Sequence, residues 1–253
     1  LSLHDALPIC ARSVFIEDDP ALSAKANRNG HFARFYAMGR ALDTSRVVSM
    51  TSRSHRYYVS AAYWDRDSLL WLYPFLLRND PPHAMELLEY AYGPQLRTAG
   101  IHCRQIKGQI LEYGFELDEL CAPLLAAGQW HALHVDQPVW DHPTILDGIN
   151  ELLGRLRKWR DPNTALYHTE LMPTDDLVVE GRSILTYNNA LVLQTLRLLL
   201  PILQRTESPH ASWAASEIDA IPSAIAEYLV RDGVYQWSTD LAGRHEFYDE
   251  AAG

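Results

Sequence analysis

Apolar residues are distributed along this chain in two alternating patterns, and both have the period of an α-helix. Three stretches are apolar on nearly every side, at 69–77, 116–126 and 190–203. Three others, at 82–97, 144–159 and 209–230, carry their apolar residues on one face. A helix that is apolar all round must be covered on every side, whereas an amphipathic helix can face water. The alternation therefore predicts an inner ring of helices surrounded by an outer ring.

Stretches that favour β-structure occur only between these helices. Gly108 separates two such runs within 100–113, which predicts a short hairpin, and 47–58 and 234–237 also favour strands. A further helical pattern covers 20–45 and is interrupted at Asn29-Gly30. The fold class that follows is all-α, a toroid of helical hairpins with short β-hairpins in the connections.

A polar or aromatic stretch precedes each inner helix. These stretches are Tyr63-Trp64-Asp65-Arg66-Asp67-Ser68, the octapeptide 114–121 and Tyr187-Asn188-Asn189. Inner helices of successive hairpins run in the same direction, so we expect the three stretches to meet at one end of the ring. The irregular segment 161–186 is longer than a simple connection needs, and such loops are usually functional.

The octapeptide Gly114-Phe115-Glu116-Leu117-Asp118-Glu119-Leu120-Cys121 places three carboxylates within four residues, at the start of an apolar helix. Acidic residues at a helix start are favoured by the helix dipole and by unpaired backbone N–H groups, and this structural explanation suffices for Glu119. Carboxyl groups among apolar neighbours can instead be held protonated and act as general acids. The octapeptide is therefore the first candidate for chemistry.

Composition narrows the classes of function. The chain has 253 residues, 47% of them hydrophobic, which corresponds to one large domain or part of one. A formal net charge of −10 argues against a nucleic-acid partner, and no apolar run is long enough to cross a bilayer. Three cysteines without a CxxC pair specify neither a disulfide framework nor a zinc site, so we expect a cytoplasmic protein without metal or other cofactor.

The stretch Trp64-Asp65-Arg66-Asp67-Ser68, followed one hairpin later by Glu116-Leu117-Asp118-Glu119-Leu120-Cys121, resembles motifs of the six-hairpin glycosidases. Within that superfamily it is most similar to the metal-independent α-mannosidases, with glucoamylases and glycogen-debranching glucosidases next. Glu119 stands where the mannosidase pattern has a serine, and Asp65 replaces an apolar residue. The resemblance implies an (α/α)6 barrel, about half of which this chain would hold.

The resemblance also implies an activity, the exo-acting, inverting hydrolysis of terminal α-linked mannosides or glucosides without a metal. Inverting glycosidases use one carboxylic acid to protonate the leaving oxygen and one carboxylate to activate water. By resemblance Asp118 is the general acid, and an oligosaccharide is the substrate. The predicted sugar-binding residues are Trp64, Asp65, Arg66, Asp67, Glu116, Glu119, Tyr187 and Asn188, and Trp64, Trp130 and Trp140 are candidate platforms for sugar rings.

The catalytic base is expected on a later hairpin. Glu250 in Tyr248-Asp249-Glu250 is one candidate, Glu170 and Glu180 are others, and a base beyond Gly253 is the leading expectation. Residues 1–9 resemble a translated sequencing adapter, so we interpret them as an artefact and 10–253 as a partial catalytic domain. The alternative function is a non-catalytic carbohydrate-binding or structural α-toroid.

Overall fold

A computed structural model gives the fold and describes residues 18–49, 62–173 and 183–241, together with the backbone of 245–247. Within these residues a π-helical segment, Arg66–Leu72, leads directly into the second α-helix. The α-helices are α1 (Pro20–Phe35), α2 (Tyr73–Asn79), α3 (Pro81–Tyr92), α4 (Leu117–Leu133), α5 (Pro143–Leu156), α6 (Thr186–Arg205) and α7 (Ala211–Tyr228).

Short antiparallel sheets connect the helices. The strands are β1 (Met38–Arg40), β2 (Val47–Ser49), β3 (Ala62–Tyr63), β4 (Ile101–Gln105), β5 (Ile110–Phe115), β6 (Ile184–Leu185), β7 (Val230–Arg231), β8 (Val234–Thr239) and β9 (His245–Phe247). Strands β1 and β2 form one hairpin, and β3, β4 and β5 form a sheet in that order. Strand β8 pairs with β6, β7 and β9.

The helices form three successive hairpins, as the alternating pattern predicts. The π-helical segment and α2 pack on α3, α4 packs on α5, and α6 packs on α7. Helix α4 lies in the middle, against α2, α3, α5 and α6, and every residue from Leu117 to Gly128 is buried. Helix α5 buries only one face. The all-α fold with inner and outer helices is thus confirmed.

Several predicted boundaries differ from the structure. The first inner helix begins at Arg66, three residues before the predicted apolar stretch, because polar residues of the preceding segment form its first turn. Helix α1 continues through Asn29-Gly30, where the sequence suggests a break. Gly30 lies against Phe75, and a Cβ on that glycine would come within 3.0 Å of the ring, so close packing rather than a turn explains the residue. Most of the predicted strand region 47–58 lies outside the described residues.

Among the described residues no helix combines the length and the apolar character needed to cross a membrane.

We predict that Gly128 sets the distance between inner helices α4 and α6. A Cβ at Gly128 would come within 2.7 Å of the Leu198 Cβ. Gly128→Val should therefore lower the free energy of unfolding by about 1–3 kcal/mol, the usual cost of overpacking a core. Urea unfolding followed by circular dichroism measures this difference.

The matched control is Gly154→Ala in α5, where a Cβ meets no atom within 4 Å. It should raise the free energy of unfolding by about 0.5–1 kcal/mol, since alanine favours a helix over glycine. Equal stability of the Gly128 variant and the wild type would contradict a close contact between α4 and α6.

Candidate active site

The predicted motifs meet at one end of the helical array through the sheet β3–β4–β5. Tyr63 on β3 pairs with Arg104 on β4, and Ile101 on β4 pairs with Phe115 on β5. The π-helical segment follows β3, and α4 follows β5 after a single residue. Sheet pairing therefore holds the N-terminal ends of two inner helices next to each other.

Arg66 forms the centre of the upper layer of this site. Its Nε donates to Asp118 Oδ2 at 2.6 Å, and its Nη2 donates to Asp118 Oδ1 at 3.2 Å and to Glu116 Oε1 at 2.6 Å. The arginine is 4% exposed, and both carboxylates are fully buried. Such a two-point contact between a guanidinium and a carboxylate fixes orientation as well as distance. Asp118 is thus held in one position relative to the first inner helix.

His102 extends this layer towards the surface. Its Nδ1 lies 2.8 Å from Glu116 Oε2, and its Nε2 lies 3.5 Å from Glu112 Oε2. The half-buried Trp64 ring packs edge-on against the His102 ring, with 6.1 Å between centroids. Glu116 is therefore bound from both sides, by Arg66 and by His102.

A second layer lies beneath the first. Glu119 accepts the backbone N–H groups of Asp65 at 2.6 Å and Arg66 at 3.1 Å. Arg104 donates from Nη2 to Asp65 Oδ2 at 2.7 Å and to Glu119 Oε2 at 2.9 Å. Tyr63 donates its hydroxyl to Asp65 Oδ1 at 2.8 Å. The oxygens of Asp65 and Glu119 are occupied by protein donors, and the sugar contacts predicted for these two residues stay predictions.

The two layers contain more carboxylates than cations, and burial disfavours charge on those carboxylates. Burial raises the pKa of Glu119 and of Glu116, while Arg66 opposes the rise in both. Burial also raises the pKa of Asp67, to about 6, and the neighbouring charges of Glu116 and Asp118 add to that rise. Burial thus favours the protonated forms of Glu116, Glu119 and Asp67.

The start of α6 contributes the third predicted stretch. Burial raises the pKa of the Tyr187 hydroxyl, and the nearby negative charge of Asp118 raises it further, which places Tyr187 in the electrostatic field of the site. Asn188 is fully buried, and neither its Oδ1 nor its Nδ2 has a hydrogen-bond partner among the described residues. The next residue, Asn189, makes three hydrogen bonds with the backbone of Tyr167 and Leu185. Of these two asparagines, Asn188 is therefore the one whose side-chain amide has no partner within the described part of the chain.

The described first part of the segment 161–186, residues 161–173, is attached to the octapeptide. Thr169 accepts the N–H of Leu117 at 3.1 Å, and Glu170 accepts the N–H of Phe115 at 2.8 Å. The Phe115 ring stacks on Trp159 with 3.7 Å between centroids. Glu170, a predicted candidate for the base, therefore lies beside the site and is engaged with the backbone.

Sequence reasoning missed Arg104, His102 and Thr169. His102 and Arg104 are two positions apart on β4, which is the spacing of side chains on one face of a strand. That spacing was the signal in the sequence that could have identified them. Thr169 had no signal, since its contact with Leu117 joins positions 52 apart in the chain. Glu180 and Glu250, the other candidate bases, lie outside the described residues.

Two of the three predicted platforms lie elsewhere. Trp130 is 12 positions beyond Asp118 on α4, about 18 Å along the helix axis, and it is 1% exposed. Its indole N–H donates to the Gln137 carbonyl. Trp140 contacts His131 near the same end of α4. The prediction that these two residues stack on a sugar at this site is wrong, because the helix carries them to its opposite end.

Among the described residues no group of three or more histidine, cysteine, aspartate or glutamate side chains is arranged to hold a metal ion.

Comparisons with known proteins concern the fold. No protein-family model and no curated protein match the chain. It is similar to a metal-independent α-mannosidase of Streptococcus pneumoniae, solved in a non-productive substrate complex with α-1,6-mannobiose: TM-score 0.66, 16% identity, covering 96% of this chain and 67% of that one. It is also similar to a wild-type glycosidase, with a TM-score of 0.61 and 11% sequence identity, covering 94% of this chain and 62% of that one.

An α-mannanase of glycoside hydrolase family 76 from Bacteroides thetaiotaomicron gives a TM-score of 0.57 at 12% identity, covering 85% of this chain and 58% of that one. The chain thus spans about 52–67% of the length of these and related structures. The chain shares its fold with the corresponding parts of these glycosidase structures, as the motifs imply.

We predict that Asp67→Asn changes how stability depends on pH. The pKa of Asp67 is about 6 in the folded protein, against roughly 3.9 for an unfolded aspartate. Between these values the folded state keeps a proton that the unfolded state has lost, so this group makes the wild type less stable as pH rises. The variant should therefore gain on the order of 2 kcal/mol relative to wild type between pH ~4 and pH ~7.

Urea unfolding at several pH values in that interval measures the gain, with the exposed Asp219→Asn as the control variant. A difference between the Asp67 variant and wild type that stays constant with pH would contradict the raised pKa.

Proposed function

We propose that this chain carries part of the catalytic site of a glycoside hydrolase that removes terminal α-linked mannose or glucose with inversion at the anomeric carbon. The observation that carries the proposal is the buried group of Asp118, Glu116 and Arg66 where two inner helices begin. The fold shared with several glycosidases supports the same class of activity. In this proposal an oligosaccharide or glycoside is the substrate.

Asp118 is the proposed general acid. It would donate its proton to the glycosidic oxygen as the bond to the anomeric carbon breaks, so that the leaving alcohol departs neutral. Arg66 holds both oxygens of Asp118, so the direction of that carboxyl is set before a substrate arrives. In this proposal Asp118 carries the proton at the start of each turnover, as a general acid must.

The negative surroundings would also stabilise the reacting sugar. The anomeric carbon becomes positively charged as the glycosidic bond breaks. Buried carboxylates near that carbon interact favourably with the developing charge, and the low exposure of Glu116 and Asp118 strengthens the interaction. A catalytic base must stand on the opposite side of the sugar, about 6.5–9.5 Å from the acid, with a water between them. Glu170, Glu180 and Glu250 remain candidates for that base.

Asn188 and Tyr187 are the proposed contacts for sugar hydroxyls. A sugar hydroxyl donates one hydrogen bond and accepts others, which matches the unpartnered Nδ2 and Oδ1 of Asn188. Leaving such a buried amide unpaired costs stability, so its presence is best explained by a ligand that pairs with it. Trp64, half-buried beside His102, is the proposed apolar surface for a sugar ring.

A second candidate function, saccharide binding without turnover, is favoured by one observation. Arg66 already pairs with both oxygens of Asp118, an arrangement that also suits a carboxylate serving only to orient a ligand. Calorimetric titration with mannose, glucose and their disaccharides distinguishes the two functions. Binding with no product in the same mixture would support the second.

We predict that Asp118→Asn lowers kcat about 10²–10⁴-fold on alkyl α-mannosides or α-glucosides, the usual contribution of a general acid. The loss should be much smaller with 2,4-dinitrophenyl glycosides or glycosyl fluorides, because their leaving groups depart without a proton. Initial rates on both substrate types give the comparison, and proton NMR of the first-formed anomer reports the stereochemistry.

Asp147→Asn on the exposed face of α5 is the matched control and should leave both rates unchanged. An equal loss on both substrate types would remove Asp118 as the acid, and retention at the anomeric carbon would reject the inverting mechanism.

We predict opposite effects of Asn188→Leu on stability and on ligand binding. Leucine has a similar volume and no polar atoms, so the variant should be more stable by about 1–3 kcal/mol, the cost of a buried unpaired polar group. Binding of the sugar should weaken about tenfold or more, because the amide no longer pairs with a hydroxyl. Thermal unfolding and calorimetric titration measure the two effects. A variant that is destabilised, or that binds as tightly as wild type, would contradict the proposed contact.

A further inference from the structure

We infer that Glu119 and Arg104 form a positioning pair, which joins the start of the first inner helix to the first turn of α4 and thereby fixes Arg66 against Asp118. This role rests on the proposed function only where it concerns Asp118 as the reacting group. Neither residue needs to touch the substrate. The pair differs from the role predicted for Glu119 from the resemblance, which is contact with a sugar.

The N-terminus of the π-helical segment is capped by a residue from another helix. The first N–H groups of a helical segment have no partner within it and need an acceptor from elsewhere. Asp65 occupies the cap position, but its side chain makes no capping hydrogen bond, because Tyr63 and Arg104 occupy its oxygens. Glu119 supplies the acceptors instead, from another helix, with Oε2 to the N–H of Asp65 and Oε1 to the N–H of Arg66.

Arg66 is held by hydrogen bonds at both its backbone and its side chain. Its backbone N–H is bound by Glu119, and its guanidinium is bound by Glu116 and Asp118. These three acceptors lie in the cap and first turn of the same helix, α4. Because one residue is bound at both its backbone and its side chain by one rigid turn, it cannot shift without breaking several hydrogen bonds. Contact between Arg66 and Asp118 thus depends on the cap that Glu119 provides.

Arg104 is required because it lies between two buried carboxylates. Glu119 is fully buried and Asp65 is 1% exposed, and the two carboxylates share the Nη2 group of Arg104. Two ionised carboxylates this close in a buried site would repel strongly unless a cation lay between them. The Nε and Nη1 groups of Arg104 have no hydrogen-bond partner in the described part of the chain.

The rest of the Arg104 guanidinium lies over the Tyr63 ring, 5.0 Å from its centroid. Its directed hydrogen bonds within the described residues therefore all go to these two carboxylates. The charge of this wholly buried arginine therefore compensates the charges of Asp65 and Glu119 at the cap.

A double-mutant cycle on the full chain tests this pair. Arg104→Met should lower the melting temperature by about 10 °C, because it leaves Asp65 and Glu119 buried without a cation. Glu119→Gln should lower it by less. In the double variant a glutamine amide can accept one backbone N–H and donate to Asp65, so the double variant should melt several degrees above Arg104→Met alone. A double variant that melts below the wild type by the sum of the two single losses, and therefore below Arg104→Met, would overturn the pair.

A second readout separates positioning from general stability. In folded protein, Glu119→Gln should lower kcat about 100-fold while the KM changes little, since a small displacement of a reacting group is costly. The control is Glu217→Gln in α7, which removes the charge of another buried carboxylate, one bound by Arg160 and Tyr167. It should lower the melting temperature and leave kcat unchanged.

A Glu119→Gln variant with the kcat of the wild type would overturn the positioning role. A wild-type chain that neither binds nor turns over any tested glycoside would instead refute the proposed function. In that case the melting temperatures of the cycle still support or overturn the link between Glu119 and Arg104.

Discussion

The guanidinium of Arg66 joins two helices that are not neighbours along the chain, and the geometry of the whole site depends on this contact. It donates to Asp118 and Glu116 from the first turn of one inner helix to the first turn of the next. All three groups are nearly or wholly buried, so water does not compete for these hydrogen bonds. An arginine is suited to this position because its planar group offers several donors in fixed directions.

Several buried charges this close together need compensating charges and hydrogen bonds, and the second layer provides them. Arg104 lies between Asp65 and Glu119, and Glu119 in turn binds the backbone that carries Arg66. Removal of water strengthens each of these interactions and also makes each unpaired charge costly. The two layers therefore depend on each other. We propose that the upper layer can take part in catalysis only while the lower layer keeps the two helices in register.

The two asparagines at the start of α6 illustrate how function and stability separate at adjacent positions. Asn189 uses its amide to hold the loop at Tyr167 and the end of β6 at Leu185. Asn188 is equally buried and uses its amide for nothing within the described residues. A protein selected for stability alone would place an apolar residue there. We propose that this difference reflects a role of Asn188 in sugar binding, whereas Asn189 stabilises the fold.

The sequence by itself determined the helical hairpins, their division into inner and outer helices, and the end of the array at which the polar stretches meet. These features depend on periodicity and on residues close together in the chain, such as the acids from Glu116 to Glu119. Patterns of this short range can be recognised in the sequence alone. Only the tertiary structure decided which carboxylate pairs with which arginine. The partners of Arg66 lie 50 to 53 positions away, and Thr169 reaches Leu117 across 52. Hydrogen bonds over such separations are selected by the packing of whole helices, and no local pattern records them.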